Sequence, residues 1–293
     1  MIDFSNNFVD NSIPTLSVSE MISMISHSFD RDRVVELTYN KHFNNPDSQY
    51  YQKSKDEIVK MWEDKAEASR NYGKMLDDYI GSRLNNDMFI SENMNDRLQG
   101  LMKSFDDFYE VMMKSGDMEF ICREKTLYTK FKFYNDNNEE IEYYIKGRFD
   151  ALFKNNRIGK YVLIDWKSSG SIDKIQNRWT KNLLSPMDKF PELNWYTYTT
   201  QLYYYKYALL KNYLKDVSAD DIICMIVQLP GKLIEGYNTT YAIHQVAYQY
   251  DPVLLEKLFI SSIKKKYNED IKLKEVIVED DIKTQNDIIT NIF

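Results

Sequence analysis

Asp165 and Lys167 stand two residues apart at the end of an apolar run, Tyr161-Val162-Leu163-Ile164, and Asp150 stands three residues after Gly147 in the run before it. Successive side chains of a β-strand point to opposite faces, so Asp165 and Lys167 share one face and Trp166 takes the other. Two carboxylates and a lysine then converge at one end of a sheet. Half-buried carboxylates repel each other, and keeping both ionised is costly unless a cation sits between them. A hard divalent ion meets that need. Mg²⁺ takes one or two carboxylates together with waters and a substrate phosphate, and a neighbouring lysine stabilises negative charge or holds an attacking water. These residue types fit metal-assisted hydrolysis of a phosphodiester.

The elements that must position them are legible around the motif. Residues 141–153 and 161–166 are rich in β-branched and aromatic side chains and flank Asn155-Asn156-Arg157-Ile158-Gly159, which reads as the turn of a β-hairpin. The same acid-x-lysine spacing at Glu63-Asp64-Lys65, Asp270-Ile271-Lys272 and Asp281-Ile282-Lys283 has no such setting. Downstream, residues 195–214 lack Gly and Pro and carry Tyr198, Leu202, Tyr205 and Leu209 at helical spacing, the pattern of an amphipathic helix. Gln201 and Tyr205, four apart, share a face of it. Taken alone, that helix reads rather as a tyrosine-rich packing helix.

In this order, Gly147-x-x-Asp150, then Asp165-x-Lys167 ending a hydrophobic strand, then Gln201-x-x-x-Tyr205, the chain resembles the PD-(D/E)XK nuclease superfamily, and within it the RecB-type and phage-exonuclease-type branch. The resemblance implies an α/β fold with a restriction-endonuclease-like core: a helix, a three-stranded meander, a helix and a fourth strand, here with an N-terminal helical elaboration. It implies a DNA nuclease dependent on Mg²⁺ or Mn²⁺, expected to be an exonuclease, in phage or prokaryotic recombination, repair or replication. Asp150, Asp165 and the main-chain carbonyl of Trp166 would hold metal. Lys167 would orient or activate the water, and Gln201 and Tyr205 would position the substrate strand or the lysine. DNA is the implied partner, with a helicase or a single-strand annealing protein as a further one. In this branch the helix before the sheet commonly carries a metal-binding histidine four residues after a glycine. In Gly73-Lys74-Met75-Leu76-Asp77 that position holds Asp77, either a harder ligand or a solvated helix residue. Glu124, on what reads as the first strand, stands where relatives often have an acid near the metals, and is otherwise a surface glutamate.

The remaining elements follow in order. Residues 1–16 read as a loosely held arm, and Ser17-Val18-Ser19-Glu20 as a capping box opening a short helix. Residues 47–84 read as one long helix or two, and 95–116 as another that Gly116 ends. Residues 118–134 read as the first strand of the meander, with Asn135 to Asn138 as its turn, and 221–229 as the fourth core strand. A further strand over 237–250 and a helix over 252–267 complete the chain. The expected division is 1–116 for the arm and helical region, 117–267 for the nuclease core, and 268–293 for an acidic tail. The long connection 168–194 carries Arg178, Trp179, Lys181, Lys189 and Phe190, a mixture of cations and aromatics that suits either packing over the sheet or a single DNA strand.

Bulk properties narrow the classes. A net charge of −7 argues against a protein that coats nucleic acid, though local patches such as Lys154, Arg157 and Lys160 at the hairpin leave a nuclease open. Two cysteines, Cys122 and Cys224, are too few for a four-cysteine iron–sulfur cluster, so none is expected. Without a basic segment leading into an apolar run, or an apolar span, no membrane partner is expected; the expected location is cytoplasmic, in the host cytoplasm if the protein is phage-encoded. The abundance of Asn, Lys, Ile and Tyr suits an AT-rich genome. The competing reading is a catalytically inactive nuclease-fold binding protein of a replication, packaging or virion assembly. An RNA nuclease is a third, since the same site chemistry permits it.

Overall fold

The computed structural model describes residues 2, 4, 10–91, 94–134, 137–169, 172, 174–234, 239–267 and, through their backbone, 272–277. The chain is a mixed α/β fold with two sheets. One has the strand order β1 (Thr15–Ser17), β4 (Glu140–Arg148), β3 (Thr126–Tyr134), β9 (Lys272–Ile277). The other has the order β2 (Met118–Arg123), β5 (Ala151–Asn155), β6 (Lys160–Lys167), β7 (Ile222–Gln228), β8 (Ala242–His244). Within the second sheet, β2, β5 and β6 are antiparallel, β7 runs parallel to β6, and β8 is antiparallel to β7.

The two sheets share one bent ribbon. The runs 118–134 and 141–153, each expected as a single strand of a meander, both divide. Glu124 takes a φ of +48°, which ends β2 at Arg123, and opposite it Phe149 and Asp150 separate β4 from β5. The β2–β5 ladder therefore stops at Arg123↔Ala151, and the β3–β4 ladder starts at Thr126↔Arg148. Across the bend, Glu124 N donates to Asp150 O at 3.0 Å and Phe149 N to Lys125 O at 3.3 Å, so two backbone bonds span the corner. Glu124 thus lies past the end of the first strand rather than on it, and Asp150 lies in the corner between two strands.

Six α-helices pack on this frame among the described residues: α1 (Val18–Ile25), α2 (Arg31–His42), α3 (Lys55–Asn85), α4 (Asp96–Met113), α5 (Asn194–Asn212) and α6 (Pro252–Tyr267). The capping box expected at Ser17 forms: Glu20 N donates to Ser17 Oγ at 3.2 Å and Ser17 N to Glu20 Oε2 at 2.8 Å. A second box, Ser54 with Glu57, opens α3 as one uninterrupted helix. The stretch 45–53 before it is turns, because Pro46 and a Gln52 at φ +52° keep it from joining the helix.

β6 is buried from both sides. Val162, Ile164 and Trp166 face α3 and α4 in a core with Leu76, Ile80, Leu101, Phe105 and Phe108. Leu163 faces the other core, built with α1, α5, α6 and the inner side of the first sheet. α5 is not amphipathic as the spacing suggested; Thr199–Leu209 is buried on nearly every side. That environment is tolerated because its polar tips find partners: Tyr204 Oη donates to Ile145 O at 2.5 Å, Tyr207 Oη to Glu256 Oε1 at 2.8 Å, and Lys206 Nζ to Ile222 O at 3.0 Å.

Three further expectations change. Of the strand expected over 237–250, only 242–244 is extended, and Tyr237 and Asn238 lie outside the described residues. Asn135 and Asp136 of the expected turn also lie outside them, while Asn138 has the positive φ, +60°, that such a turn uses. Within the stretch expected as an acidic tail, Lys272–Ile277 forms β9 against β3; the remainder, 268–271 and 278–293, lies outside the described residues. In the arm, Thr15–Ser17 pairs in parallel with β4, and the Phe4 ring packs on Tyr213 at 5.1 Å.

Candidate active site

The site lies where β6 ends. Its alternation puts Trp166 between Phe105 and Phe108, with ring centroids at 5.6 and 5.5 Å, and that anchor fixes the strand's rotation. Asp165 and Lys167 consequently point together toward α5. The Lys167 Nζ lies 2.7 Å from Asp165 Oδ2 and 4.4 Å from the centre of the Tyr198 ring. The Asp165 side chain is 1% exposed. Its Oδ2 is fully buried, and the Lys167 ammonium is the charge that faces it.

The corner of the bent ribbon delivers the second carboxylate. Asp150 Oδ2 accepts the Trp166 N–H at 2.7 Å, which ties the corner to the strand that carries Asp165 and Lys167. Burial, and then the neighbouring Asp165 charge, push the Asp150 carboxyl well above the usual range, against the pull of Lys167 and the Trp166 amide. Asp165 is likewise raised by burial and partly restrained by Lys167. Burial alone would lower the Lys167 ammonium, but the Asp165 and Asp150 charges outweigh it and hold it above its ordinary value. Two acids that resist ionisation beside a lysine that resists deprotonation form a site short of positive charge.

α5 supplies the remaining predicted residues. Gln201 Nε2 donates to Tyr205 Oη at 2.8 Å, and burial, with the Asp165 charge next, holds the Tyr205 phenol above its usual range. The helix comes this close because residue 147 is glycine: a Cβ there would lie 2.6 Å from Tyr205 Cε1, 2.9 Å from Tyr204 Cε1 and 2.9 Å from Val18 Cγ2. The glycine of Gly-x-x-Asp is thus a packing requirement.

Asp77 and Glu124 stand at the rim. Burial, followed by the Glu124 charge, raises the Asp77 carboxyl, while Arg123 and Arg148 oppose the rise. Glu124 is engaged by both arginines, at 3.0 Å to Arg123 Nη2 and 3.5 Å to Arg148 Nη1, and Arg123 also donates to the Asp77 carbonyl at 2.9 Å. Among the described residues, no three His, Cys, Asp or Glu side chains group closely enough to hold a metal ion. The structure brings together Asp150, Asp165 and Lys167; the Asp77 charge reaches Asp150 from α3, and Glu124 is engaged by the two arginines.

Reading by residue type overlooked several neighbours. Tyr198 shares a helix face with Gln201 and Tyr205 by spacing, but counts among the packing positions when only hydropathy is read. Gln228 is 4% exposed and pairs in register with Lys167; its amide donates to Ser169 O at 3.1 Å, and its Oε1 lies 2.9 Å from His244 Nε2. A polar residue closing an otherwise apolar strand, Ile-Ile-Cys-Met-Ile-Val-Gln, was the available signal.

The basic residues expected at the hairpin lie there, but away from the carboxylates. Asn156 to Gly159 turn at the far end of β5 and β6, roughly 15–20 Å along the strands from Asp165 by strand rise. Arg157 there faces Asp117 at 3.6 Å, and Lys160 faces Asp221 at 3.8 Å. In the 168–193 connection, Leu183 and Met187 are buried and Phe190 stacks on Tyr248 at 4.4 Å, while Trp179 is 77% exposed with the Arg178 guanidinium 4.7 Å from its ring. Packing and an exposed cation–aromatic surface thus divide that loop between them.

No helix among the described residues is long and apolar enough to cross a membrane. Comparison with protein-family models gives no match to this chain, and comparison with curated proteins gives none either.

Proposed function

We propose that the chain is a metal-dependent deoxyribonuclease with a restriction-endonuclease-like core, acting in phage or prokaryotic DNA recombination, repair or replication, most simply as an exonuclease. The observation that carries this reading is a pair of carboxylates, a buried Asp165 and a half-buried Asp150, beside a lysine 2.7 Å from Asp165. The order of elements supports it: helices α3 and α4, the bent ribbon, β6, then α5 crossing to a strand parallel to β6.

The donors fit Mg²⁺ or Mn²⁺. They are hard oxygens from two carboxylates that burial and mutual repulsion keep from ionising freely, a set that a divalent cation would relieve. Asp150, Asp165 and the Trp166 carbonyl would hold the ion; bound there, it would supply Lewis acidity toward a phosphodiester and lower the pKa of water. Lys167 is held as a cation by both acids and by the Tyr198 ring, and so orients an attacking water and offsets charge on the phosphate. Gln201, fixed through Tyr205, presents its amide oxygen and second N–H to the strand. Trp179 and Arg178 offer a stacking surface that guides single-stranded DNA.

The test is cleavage of linear and circular DNA, and of matched RNA, by wild type and Lys167→Ala in Mg²⁺, Mn²⁺ or EDTA. Wild type should cut DNA only with metal, and Lys167→Ala should be slower by about 10²-fold or more. Sparing of circles would mark an end-directed enzyme. Preference for RNA would reassign the substrate, and a folded, metal-binding protein that cuts neither would make the chain a binding module of a replication, packaging or virion assembly.

A further inference from the structure

Strands β6 and β7 end on a matched pair, Lys167 and Gln228. Paired residues of neighbouring strands point to the same face, so Gln228 lies beside Lys167 on the side of α5. It is buried, and a buried amide costs free energy unless its donor and acceptor are both bonded. Here they are: Nε2 donates to Ser169 O at 3.1 Å, and Oε1 lies 2.9 Å from His244 Nε2. With the amide nitrogen turned to that carbonyl, Oε1 can only accept, so His244 Nε2 carries a hydrogen and donates it. Burial and the Lys174 charge keep the ring neutral above about pH 4, which leaves Nδ1 without a proton. An apolar side chain of the same shape would fill this space without any of these bonds, so packing does not account for the glutamine.

The bonds fall where the strand that carries Asp165 and Lys167 leaves the sheet. Leu229 N donates to Lys167 O at 2.8 Å, and the Gln228 amide reaches two residues farther, to Ser169. Behind Gln228, the segment that carries His244 is fastened to α5: Trp195 Nε1 donates to Gln245 O at 2.6 Å, and Ala247 N to Thr199 Oγ1 at 2.8 Å. The same helix carries Tyr198, whose ring centre is 4.4 Å from Lys167 Nζ. Both ends of the Lys167 side chain are thus referred to α5, the ammonium through Tyr198 and the backbone root through Ser169, Gln228 and His244. Four flexible methylenes join the two ends, so a shift of the root displaces the ammonium.

We infer that Gln228, held by His244, is a positioning residue that fixes the backbone from which Lys167 reaches the reacting phosphate. The inference rests on the nuclease reading, in which Lys167 is the catalytic residue. Gln228 and His244 act through it and touch no substrate.

The experiment is steady-state cleavage of linear DNA in Mg²⁺ by wild type, Gln228→Met, Gln228→Glu, His244→Leu and His244→Gln, at a temperature where thermal melts show each variant folded. Methionine removes both bonds at nearly the same length. Glutamate still accepts from His244 but has no hydrogen for Ser169 O, and it serves alone should Gln228→Met fail to fold. Each should lower kcat by about 10–100-fold, the scale of lost support around a metal site, and leave KM within about twofold. His244→Leu should also lower kcat, whereas His244→Gln, whose amide can donate to Gln228 Oε1, should restore most of it. Wild-type kcat in a folded Gln228 variant, or equal losses in His244→Leu and His244→Gln, overturns the inference and leaves the nuclease reading standing. A change confined to KM overturns it too, because Gln228 would then act on the DNA. Absence of metal-dependent cutting by wild type overturns both.

Discussion

At the scale of single residues, the site is a problem of unbalanced charge and of what supports the groups that carry it. Gln228 lies beside Lys167 in the sheet and leans on His244. Burial, with the Lys174 charge adding to it, pushes the His244 imidazole down to about 4 from 6.5. The unfolded chain therefore takes up a proton near pH 6.5 that the folded protein refuses until about pH 4, so stability falls as pH drops through that window and is level above it. His244→Gln should flatten this part of the profile. Denaturant midpoints of wild type and variant at pH 5 and pH 7.5 check the point, and an unchanged pH difference in the variant would rule His244 out as its source.

At the scale of elements, the corner between β4 and β5 does most to place the chemistry. It depends on helix α5 lying against a strand position that has no side chain. Gly147→Ala should force the Tyr204 and Tyr205 rings away, cost about 1–3 kcal/mol, and depress cleavage beyond what the stability loss explains. Chemical denaturation and turnover at a temperature where the variant is folded separate the two effects. Should the variant match wild type in both, the close approach is not limiting. The sequence made β6, the hairpin turn at Asn155–Gly159, α5 and β7 readable, since each run is continuous and bounded by breakers. It did not reveal the bend. Residues 118–134 keep strand-like composition straight through Glu124, and only a backbone conformation, φ +48°, interrupts them. Helix α2 escaped notice for a different reason. Its sequence, Arg-Asp-Arg-Val-Val-Glu-Leu-Thr-Tyr-Asn-Lys-His, buries Val35 alone, so periodicity is faint and the Asp30 cap is the main signal. Likewise Asp150, Asp165 and Lys167 were legible from spacing, whereas the engagement of Glu124 by Arg123 and Arg148 depends on where the ribbon turns.

At the scale of the whole molecule, a ligand that binds only the folded state stabilises all of it. EDTA-stripped protein should gain about 2.7 kcal/mol, or roughly 5 °C in Tm, when Mg²⁺ or Mn²⁺ reaches a hundred times its Kd. Asp165→Asn should abolish that gain, because the ion loses one of its two carboxylates. Differential scanning calorimetry provides the measurement. A gain of equal size in Asp165→Asn would place the ion elsewhere.

The two edge strands of the first sheet come from before residue 20 and after residue 270: β1 pairs with β4, and β9 pairs with β3. Alongside them, Lys266 Nζ donates to the Thr15 carbonyl at 3.1 Å and Lys265 Nζ to the Met24 carbonyl at 2.9 Å. Contacts of such sequence separation carry a large loop-closure entropy and form slowly. On a ribosome, the sheet that carries β2, β5, β6, β7 and β8 has all its strands once residue 244 has emerged. The other sheet waits for residue 277, so a newly made chain passes through a stage in which the corner at Asp150 has only one of its two walls complete.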